Sequence, residues 1–310
     1  MQQGHLLLKM RPAARFVSGR GGLLSLAEFQ EQRAAFLWWP LPAEDLPHVL
    51  TIIRSGGLGD ILLMRPAIRA LKKARPDMTI RVVTDWPELA NGDVNDSRAA
   101  FFEGEPVLFL NEWVEWAPRR FDLHRSDIFA RGMGLMECQD YSFDGEVQID
   151  APRLIEEDYI ALQYMGSNKF RCPSVAWMNE LALRLPLPTV AIGDRPVAAE
   201  TTYNFIPCDK ERLFSIVRHA RLVIAGDSGP FHLARAMGVP CIGLYGPYPA
   251  DLRVRDTWPT CRVIESRYPK ENACGPCQEA GYCDRLEKAE CLDAIDIDEV
   301  LSIAHELLGE

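Results

Sequence analysis

Apolar positions fall into an alternating rhythm once the chain reaches Val49. Val49-Leu50-Thr51-Ile52-Ile53 is a run of apolar and β-branched residues, the pattern of a buried strand. It empties into the glycine-rich Arg54-Ser55-Gly56-Gly57-Leu58-Gly59-Asp60, after which Ile61, Met64, Ile68 and Leu71 fall near one face of a helix. Pro66 is expected to kink that helix or to mark where its regular part begins. Lys72, Lys73 and Arg75 suit its C-terminus, and Pro76 stops it. Thr79 to Thr84 is the next strand, so this stretch reads as a βαβ unit. Val107 to Leu110 is a further strand, and Asp127 to Gly134 a helix ending at glycine.

After an acidic, linker-like stretch around Asp150 to Asp158 the alternation resumes. Strands are expected at Tyr159–Tyr164, Thr189–Ile192 (ending at Gly193), Arg221–Ala225 and Val239–Tyr245. Helices are expected at Val175–Leu185, at Asp209–Ala220 with Asp209 as cap, and at Pro230–Met237 closed by Gly238. Such alternation is that of an α/β protein with parallel sheets. The pattern divides the chain into an extension at 1–48, a first Rossmann-like domain at 49–152 and a second at 153–310.

The extension mixes a basic start, a glycine pair at Gly21–Gly22, a helical-looking stretch at Leu23–Arg33 and the aromatic run Phe36-Leu37-Trp38-Trp39. Prolines at 40, 42 and 47 break regular structure there. Trp38 and Trp39 are read as covering the rim of the following domain, with a docking patch for a partner subunit or a membrane surface as the alternative.

A length of 310 residues, 47% hydrophobic and 25% charged, suits two soluble domains. The net charge of −10 argues against nucleic acid bound through an overall basic field. Any phosphate site must therefore be built locally, from backbone N–H groups and a few cations. The longest apolar run, Ala34 to Ala43, is too short to span a membrane, and Leu6 to Leu8 is too short for a signal peptide. A cytoplasmic protein is expected, so its nine cysteines call for an explanation other than disulfides.

Three loops hold candidate chemistry. In the first, the glycines allow close backbone approach to a ligand, and Asp60 is either an N-cap or a general base. The second is Ala225 to Ala234. There Gly226 and Asp227 end a strand, Pro230 sits near N1 of a helix, and Ser228, Gly229 and the first-turn N–H groups are suited to a diphosphate. His232 lies a short way into that helix, where a packed or capping role is the more ordinary one. The third loop is Gly166-Ser167-Asn168-Lys169-Phe170-Arg171, whose Lys169 or Arg171 is placed to neutralise a departing diphosphate; an ordinary solvated basic loop is the alternative.

Together these stretches resemble glycosyltransferase family 9, the heptosyltransferases that build lipopolysaccharide inner core. Arg54 to Lys73 is similar to the family's N-terminal signature, and His124-Arg125 to Gly134-Leu135 to the stretch closing its N-terminal domain. Arg221 to Pro247 is similar to the donor-site signature, with Asp-Ser-Gly-Pro-x-His-Leu-Ala, a Gly-Val-Pro strand and a Gly-Pro turn. The resemblance implies a GT-B fold, two Rossmann-like domains with parallel sheets facing a central cleft. It implies Asp60 as the base, Lys169 on donor phosphate and Asp227 at the donor sugar. Gly59, Gly166, Arg171, Gly193, Ser228, Gly229 and His232 complete the expected donor set. The sequence departs from the family in its short first domain, in its leader, and in Phe170-Arg171-Cys172-Pro173 where Trp-Pro usually follows the lysine.

The resemblance further implies a nucleotide-sugar donor, ADP-heptose first among them, and a glycan, lipid-linked or protein acceptor. One displacement inverts the anomeric centre, with no divalent metal required there. Peripheral membrane contact and homo-oligomerisation are compatible partners of this reading. A non-catalytic nucleotide-sugar-binding or assembly subunit, or an epimerase or hydrolase on the same fold, are its rivals. Late in the chain, Cys274, Cys277, Cys283 and Cys291 suit a closed structural site for zinc or iron, with thiols or disulfides stapling a loop as the alternative.

Overall fold

The computed structural model describes residues 15–17, 23–25, 41–90, 94, 96–98, 106–111, 113–117, 122–166, 171–246, 249–255, 259–266 and 290–309. The chain forms two compact units, Met1–Phe143 and Asp144–Glu310.

In the first unit, β1 (Arg15–Val17) and β2 (Leu23–Ser25) precede β3 (Val49–Ile53) and α1 (Leu58–Ala74). Then come β4 (Thr79–Val83), α2 (Pro87–Ala90), β5 (Asp96–Arg98), β6 (Pro106–Phe109), α3 (Trp113–Trp116) and α4 (Arg125–Gly132). The sheet order is β2-β1-β6-β3-β4-β5, parallel except for the β1–β2 hairpin. The β-branched runs of β3 and β4 sit at its centre, with Ile52, Ile53, Val82 and Val83 inaccessible to water. α1 follows β3 and is itself largely buried, with Ile61, Leu62, Met64, Ala67, Ile68 and Leu71 removed from water. The helix runs unbroken through Pro66, so that proline does not mark the start of regular structure.

Residues before Val49 enter this sheet. β1 pairs with β6, and β2 pairs antiparallel with β1 through Phe16 opposite Leu24. The helical reading of Leu23–Arg33 is thereby corrected at Leu23–Ser25, where edge pairing decides a short apolar run that periodicity alone leaves open. The remainder of that stretch, and Trp38–Trp39, lie outside the described residues. A second anchor is Gly134, at φ 78°, whose Cβ position would fall 2.1 Å from the Leu41 carbonyl oxygen. Only glycine allows that contact.

The second unit runs β7 (Ile160–Met165), α5 (Val175–Arg184), β8 (Thr189–Gly193), β9 (Tyr203–Phe205), α6 (Lys210–His219) and β10 (Leu222–Gly226). It continues with α7 (Gly229–Met237), β11 (Cys241–Tyr245), β12 (Cys261–Glu265), α8 (Glu290–Asp293) and α9 (Ile297–Leu308). Its sheet is wholly parallel in the order β12-β11-β10-β7-β8-β9. That is the doubly wound Rossmann order, reversing direction between β7 and β10. Asp209 caps α6 by accepting from the Arg212 N–H, and Gly238 closes α7 at φ 72°. The segment after Phe143 belongs here because Asp144 forms a buried two-point ion pair with Arg235, 2.7 and 3.1 Å. The Gly145 and Val147 N–H groups also donate to carbonyls of Arg235 and Ala236 on α7.

Candidate active site

In open parallel sheets, ligands bind outside the carboxyl ends of strands where the strand order reverses. In the first unit that point lies between β3 and β6. The chain leaves β3 as Arg54–Gly57 and leaves β6 as Leu110–Asn111, and the two are tied together. The Ser55 N–H donates to Asn111 Oδ1 at 2.9 Å, and the Asn111 amide donates to the Ser55 hydroxyl. From the β4 side the Gly56 N–H donates to Asp85 at 2.9 Å, and the Trp86 indole donates to the Gly56 carbonyl at 2.7 Å. Gly56 has φ 97°, which glycine tolerates and other residues resist.

This pinned loop delivers Asp60. It is the third residue of α1, whose N-cap is Gly57. Its carboxylate is not a helix cap. Arg125 reaches Oδ1 through Nε at 2.8 Å and Oδ2 through Nη2 at 3.2 Å, while Arg54 donates to Oδ2. Burial opposes ionisation of Asp60. The charges and hydrogen bonds of Arg125 and Arg54 overcome it and hold the carboxyl far below the usual carboxylate range. Arg125 is the first residue of α4, behind the His124 N-cap, whose Nδ1 accepts from the Ser126 N–H. Arg125 also donates to the Val114 carbonyl at 3.1 Å and lies over the Phe129 ring. Gly59, between the cap and Asp60, is half-buried.

In the second unit the reversal lies between β7 and β10. β10 ends at Gly226, and the Asp227–Gly229 turn leads into α7. Ser228 is the N-cap residue, but its side chain makes no capping bond. Its single hydroxyl proton is directed instead to the side-chain oxygen of Gln163 on β7, with the Gly226 carbonyl 3.1 Å from the same hydroxyl oxygen. The first turn of α7 therefore has no capping side chain and presents its N–H groups and positive dipole end. Arg171 packs its carbonyl on Gly226, where a Cβ would come within 1.6 Å of the Arg171 oxygen. This brings the loop after β7 against the same turn. Gly166 and Gly193 are close-packing positions at the ends of β7 and β8, their Cβ positions 2.9 Å from Gln163 Nε2 and the Met165 carbonyl. Lys169 lies outside the described residues.

Asp227 and His232 sit deep, 4% and 1% exposed. His232 Nε2 is 3.4 Å and the Tyr245 hydroxyl 3.5 Å from Asp227 Oδ1. Asp227 Oδ2 has no hydrogen bond among the described residues, and Arg253 Nε is 3.7 Å away. Burial opposes ionisation of Asp227, but the His232 hydrogen bond and the charges of Arg253 and Arg171 hold its carboxyl well below the usual range. Burial also pushes the His232 imidazole below its ordinary value against the pull of Asp227. At neutral pH the contact is thus a neutral ring donating to a carboxylate rather than an ion pair.

Several of these partners were not singled out from sequence: Arg54, Arg125, Asn111, Asp85, Gln163, Tyr245 and Arg253. Arg54 and Arg125 stand inside quoted motifs, so the motif boundaries were the available signal. Of the four late cysteines, Cys274, Cys277 and Cys283 lie outside the described residues. Cys291, half-buried, is within contact range of Gly246, whose Cβ would lie 3.0 Å from its sulfur. Among the described residues no group of three or more potential metal ligands gathers. No helix among them is long and apolar enough to cross a membrane.

Residues 210–276, which include α6, β10, α7 and β11, match the family model "Glycosyltransferase family 9 (heptosyltransferase)". No curated protein matches the chain. Among solved structures, a glycosyltransferase family 9 protein from Veillonella parvula DSM 2008 aligns at 19% identity and TM-score 0.58, covering 84% of this chain and 97% of that one. The E. coli ADP-heptose lipopolysaccharide heptosyltransferase II aligns at 14% and 0.59, covering 84% and 98%. The iron-containing dodecameric glycosyltransferase TibC from enterotoxigenic E. coli H10407 aligns at 15% and 0.59, covering 84% and 75%. The α/β architecture with two parallel sheets is the fold of these GT-B enzymes. Over residues 210–276 the chain is thus similar to glycosyltransferase family 9 (heptosyltransferase), and as a whole it shares the fold of these solved structures.

Proposed function

We propose that the protein is an inverting glycosyltransferase that moves a sugar, heptose from ADP-heptose first among candidates, onto an acceptor hydroxyl. The observation carrying this reading is the uncapped first turn of α7, which lies at the strand-order reversal of a Rossmann sheet and inside the family-matched segment. The donor diphosphate binds there through Ser228, Gly229 and the first-turn N–H groups, and the buried Oδ2 of Asp227 accepts from a sugar hydroxyl. In the reaction the acceptor oxygen attacks the anomeric carbon and its proton passes to Asp60. The bond from that carbon to the diphosphate breaks, and the electron pair leaves on the diphosphate, whose charge is met by the α7 dipole, Arg171 and Lys169. No divalent metal is required for this displacement.

The first unit, with Asp60, takes the acceptor, and residues 153–310 take the donor. A structural zinc or iron on Cys274, Cys277, Cys283 and Cys291 belongs to the same proposal. The iron-containing TibC supports it. ADP-heptose is supported by a TibC structure described in complex with ADP-D-β-D-heptose, with TM-score 0.60. A cytoplasmic location and self-association complete the reading.

A thermal-shift panel of nucleotide sugars tests it, followed by turnover with the best-stabilising donor. ADP-heptose should raise the melting temperature most, and Asp60→Asn should cut turnover severely while leaving that rise nearly intact. A panel in which no nucleotide sugar stabilises the protein refutes the reading. A second reading, a nucleotide-sugar-binding subunit without turnover, is favoured by one observation, the two arginines that suppress the basicity of Asp60. It expects donor stabilisation with no transfer to any acceptor.

A further inference from the structure

Resting on the transferase reading, the surroundings of Asp60 pose a difficulty and point to its solution. A carboxylate between two guanidinium groups is a poor proton acceptor, because taking a proton means giving up both charged partners. Asp60 must lose one of them before it can serve an acceptor hydroxyl. The two are not equivalent. Arg54 stands six residues before Asp60 on the same pinned loop, donates to the Ser55 carbonyl as well, and has a side chain only 7% exposed. Arg125 comes from a different element, the start of α4, with its side chain 13% exposed beside an Asp60 side chain that is 18% exposed. Arg125 presents Nε and Nη2 as a fork to Asp60, the arrangement that also takes a carboxylate or phosphate two-pronged. Asp85, the carboxylate that reaches this loop from the end of β4, accepts from the Gly56 N–H. The cluster Arg54–Asp60–Arg125 therefore carries one net positive charge within a chain of net charge −10.

We infer that Arg125 is a displaceable counter-ion, and that the acceptor carries an oxyanion, carboxylate or phosphate, which draws Arg125 off Asp60 and so readies Asp60 to take the hydroxyl proton. Arg125 is a positioning residue in this scheme, since it acts on the reaction through Asp60. The acceptor thereby switches on its own base, and neutral hydroxyl compounds that reach the site leave Asp60 held.

The test follows the Asp60 carboxyl carbon by NMR in the full chain labelled with 13C-aspartate, the signal assigned by its loss in Asp60→Asn. Inorganic phosphate and acetate are titrated separately, with sodium chloride at matched ionic strength as the screening control. Because the reporter sits at Asp60, anion binding at the α7 turn does not register. A saturable shift with phosphate alone or acetate alone names the anion class, and a shift with either names oxyanions generally. At saturation and fixed neutral pH the Asp60 carboxyl signal should settle at a new position, the mark of a carboxylate that has lost one of its two guanidinium partners. Arg125→Gln should weaken the anion response about tenfold or more in apparent affinity and move the Asp60 signal in the same direction without any anion. Arg125→Lys keeps the charge but not the fork, should fold if Arg125→Gln does not, and should show a weakened response. Anion responses no larger than the chloride control, or unchanged in both Arg125 variants, would overturn the inference. The donor panel is read independently: donor stabilisation without an anion response sinks this inference alone, and an anion response without donor stabilisation sinks the transferase reading.

Discussion

Gly226→Ala is the most informative single substitution in the second unit. Gly226 ends β10, and an added methyl carbon would fall 1.6 Å from the Arg171 carbonyl oxygen and 2.9 Å from its carbonyl carbon. Cβ atoms essentially never come closer than 3.0 Å to such an atom, so the two backbones must separate by at least about 1.4 Å. Neither yields as a flexible side-chain end would, since β10 is held on both sides by β7 and β11. The strain falls on the Arg171 loop and on the Asp227–Ser228 turn, the groups proposed to meet the diphosphate. Overpacking of this size costs about 1–3 kcal/mol, and in a unit of this size that lowers the melting temperature by about 3–10 °C. The functional loss should be larger in proportion, because displacing binding groups by about 1 Å costs on the order of a hundredfold in rate. The assay is donor-dependent turnover beside melting curves with and without the best-stabilising nucleotide sugar. A variant that keeps wild-type turnover and the full donor-induced rise would refute the placement of the donor phosphate at this turn.

Other consequences follow from the same geometry. Asp144→Ala removes the carboxylate that reaches Arg235 through two hydrogen bonds in a site 0–1% exposed; calorimetry should show a loss of about 3–5 kcal/mol, and Asp144→Leu with Arg235→Met should recover much of it. Asp60 and Asp227 have carboxyls held below their unfolded values, so their stabilisation is present above about pH 4 and is lost as pH falls through and below it. The acid limb of stability against pH should be shallower in Asp227→Asn. His232, pushed down by burial, acts on the same side but higher: stability falls as pH drops below about 6.5, where the unfolded ring binds a proton first, and His232→Gln should flatten that part of the urea-midpoint profile. Burial pushes the Cys208 thiol up to about 11 and Cys172 up to about 12, so at pH 8 an alkylating reagent should label both more slowly than an unstructured thiol.

What the sequence made legible was what local pattern controls. The strand of Val49–Ile53, the α6 cap at Asp209 and the α7 stop at Gly238 follow from apolar runs, side-chain oxygens and a left-handed glycine, and each formed where expected. The edge strands did not announce themselves. Tyr203–Phe205 and Leu23–Ser25 are three residues each, too short for a period, and take their form from a neighbouring strand. The candidate site split the same way. Asp60 and Asp227 stood out beside their glycines, but their partners are set by tertiary contact. Arg125 lies 65 positions after Asp60, and Tyr245 lies 18 after Asp227. The N-cap reading of Asp60 lost to that distant pair, since two guanidinium groups outbid backbone N–H groups for a carboxylate.

A parallel sheet must also solve a problem at its reversal point, where the connections on either side swing apart and the two strand ends lose the crossover that would cover them. Both units bridge the gap with a hydrogen bond between side chains: the Asn111 amide to the Ser55 hydroxyl between β6 and β3, and the Ser228 hydroxyl to Gln163 between β10 and β7. In the second unit the N-cap residue Ser228 turns sideways to make that bond instead of capping its own helix. α7 consequently begins without a capping side chain, and α1 begins without one because its N-cap is Gly57. An uncapped helix start is ordinarily a small loss of stability, about 1 kcal/mol. At the strand-order reversal of the second sheet it leaves N–H groups that the proposed donor diphosphate would satisfy, so the Ser228–Gln163 bond that steadies the strand ends also keeps that helix start free for an anion.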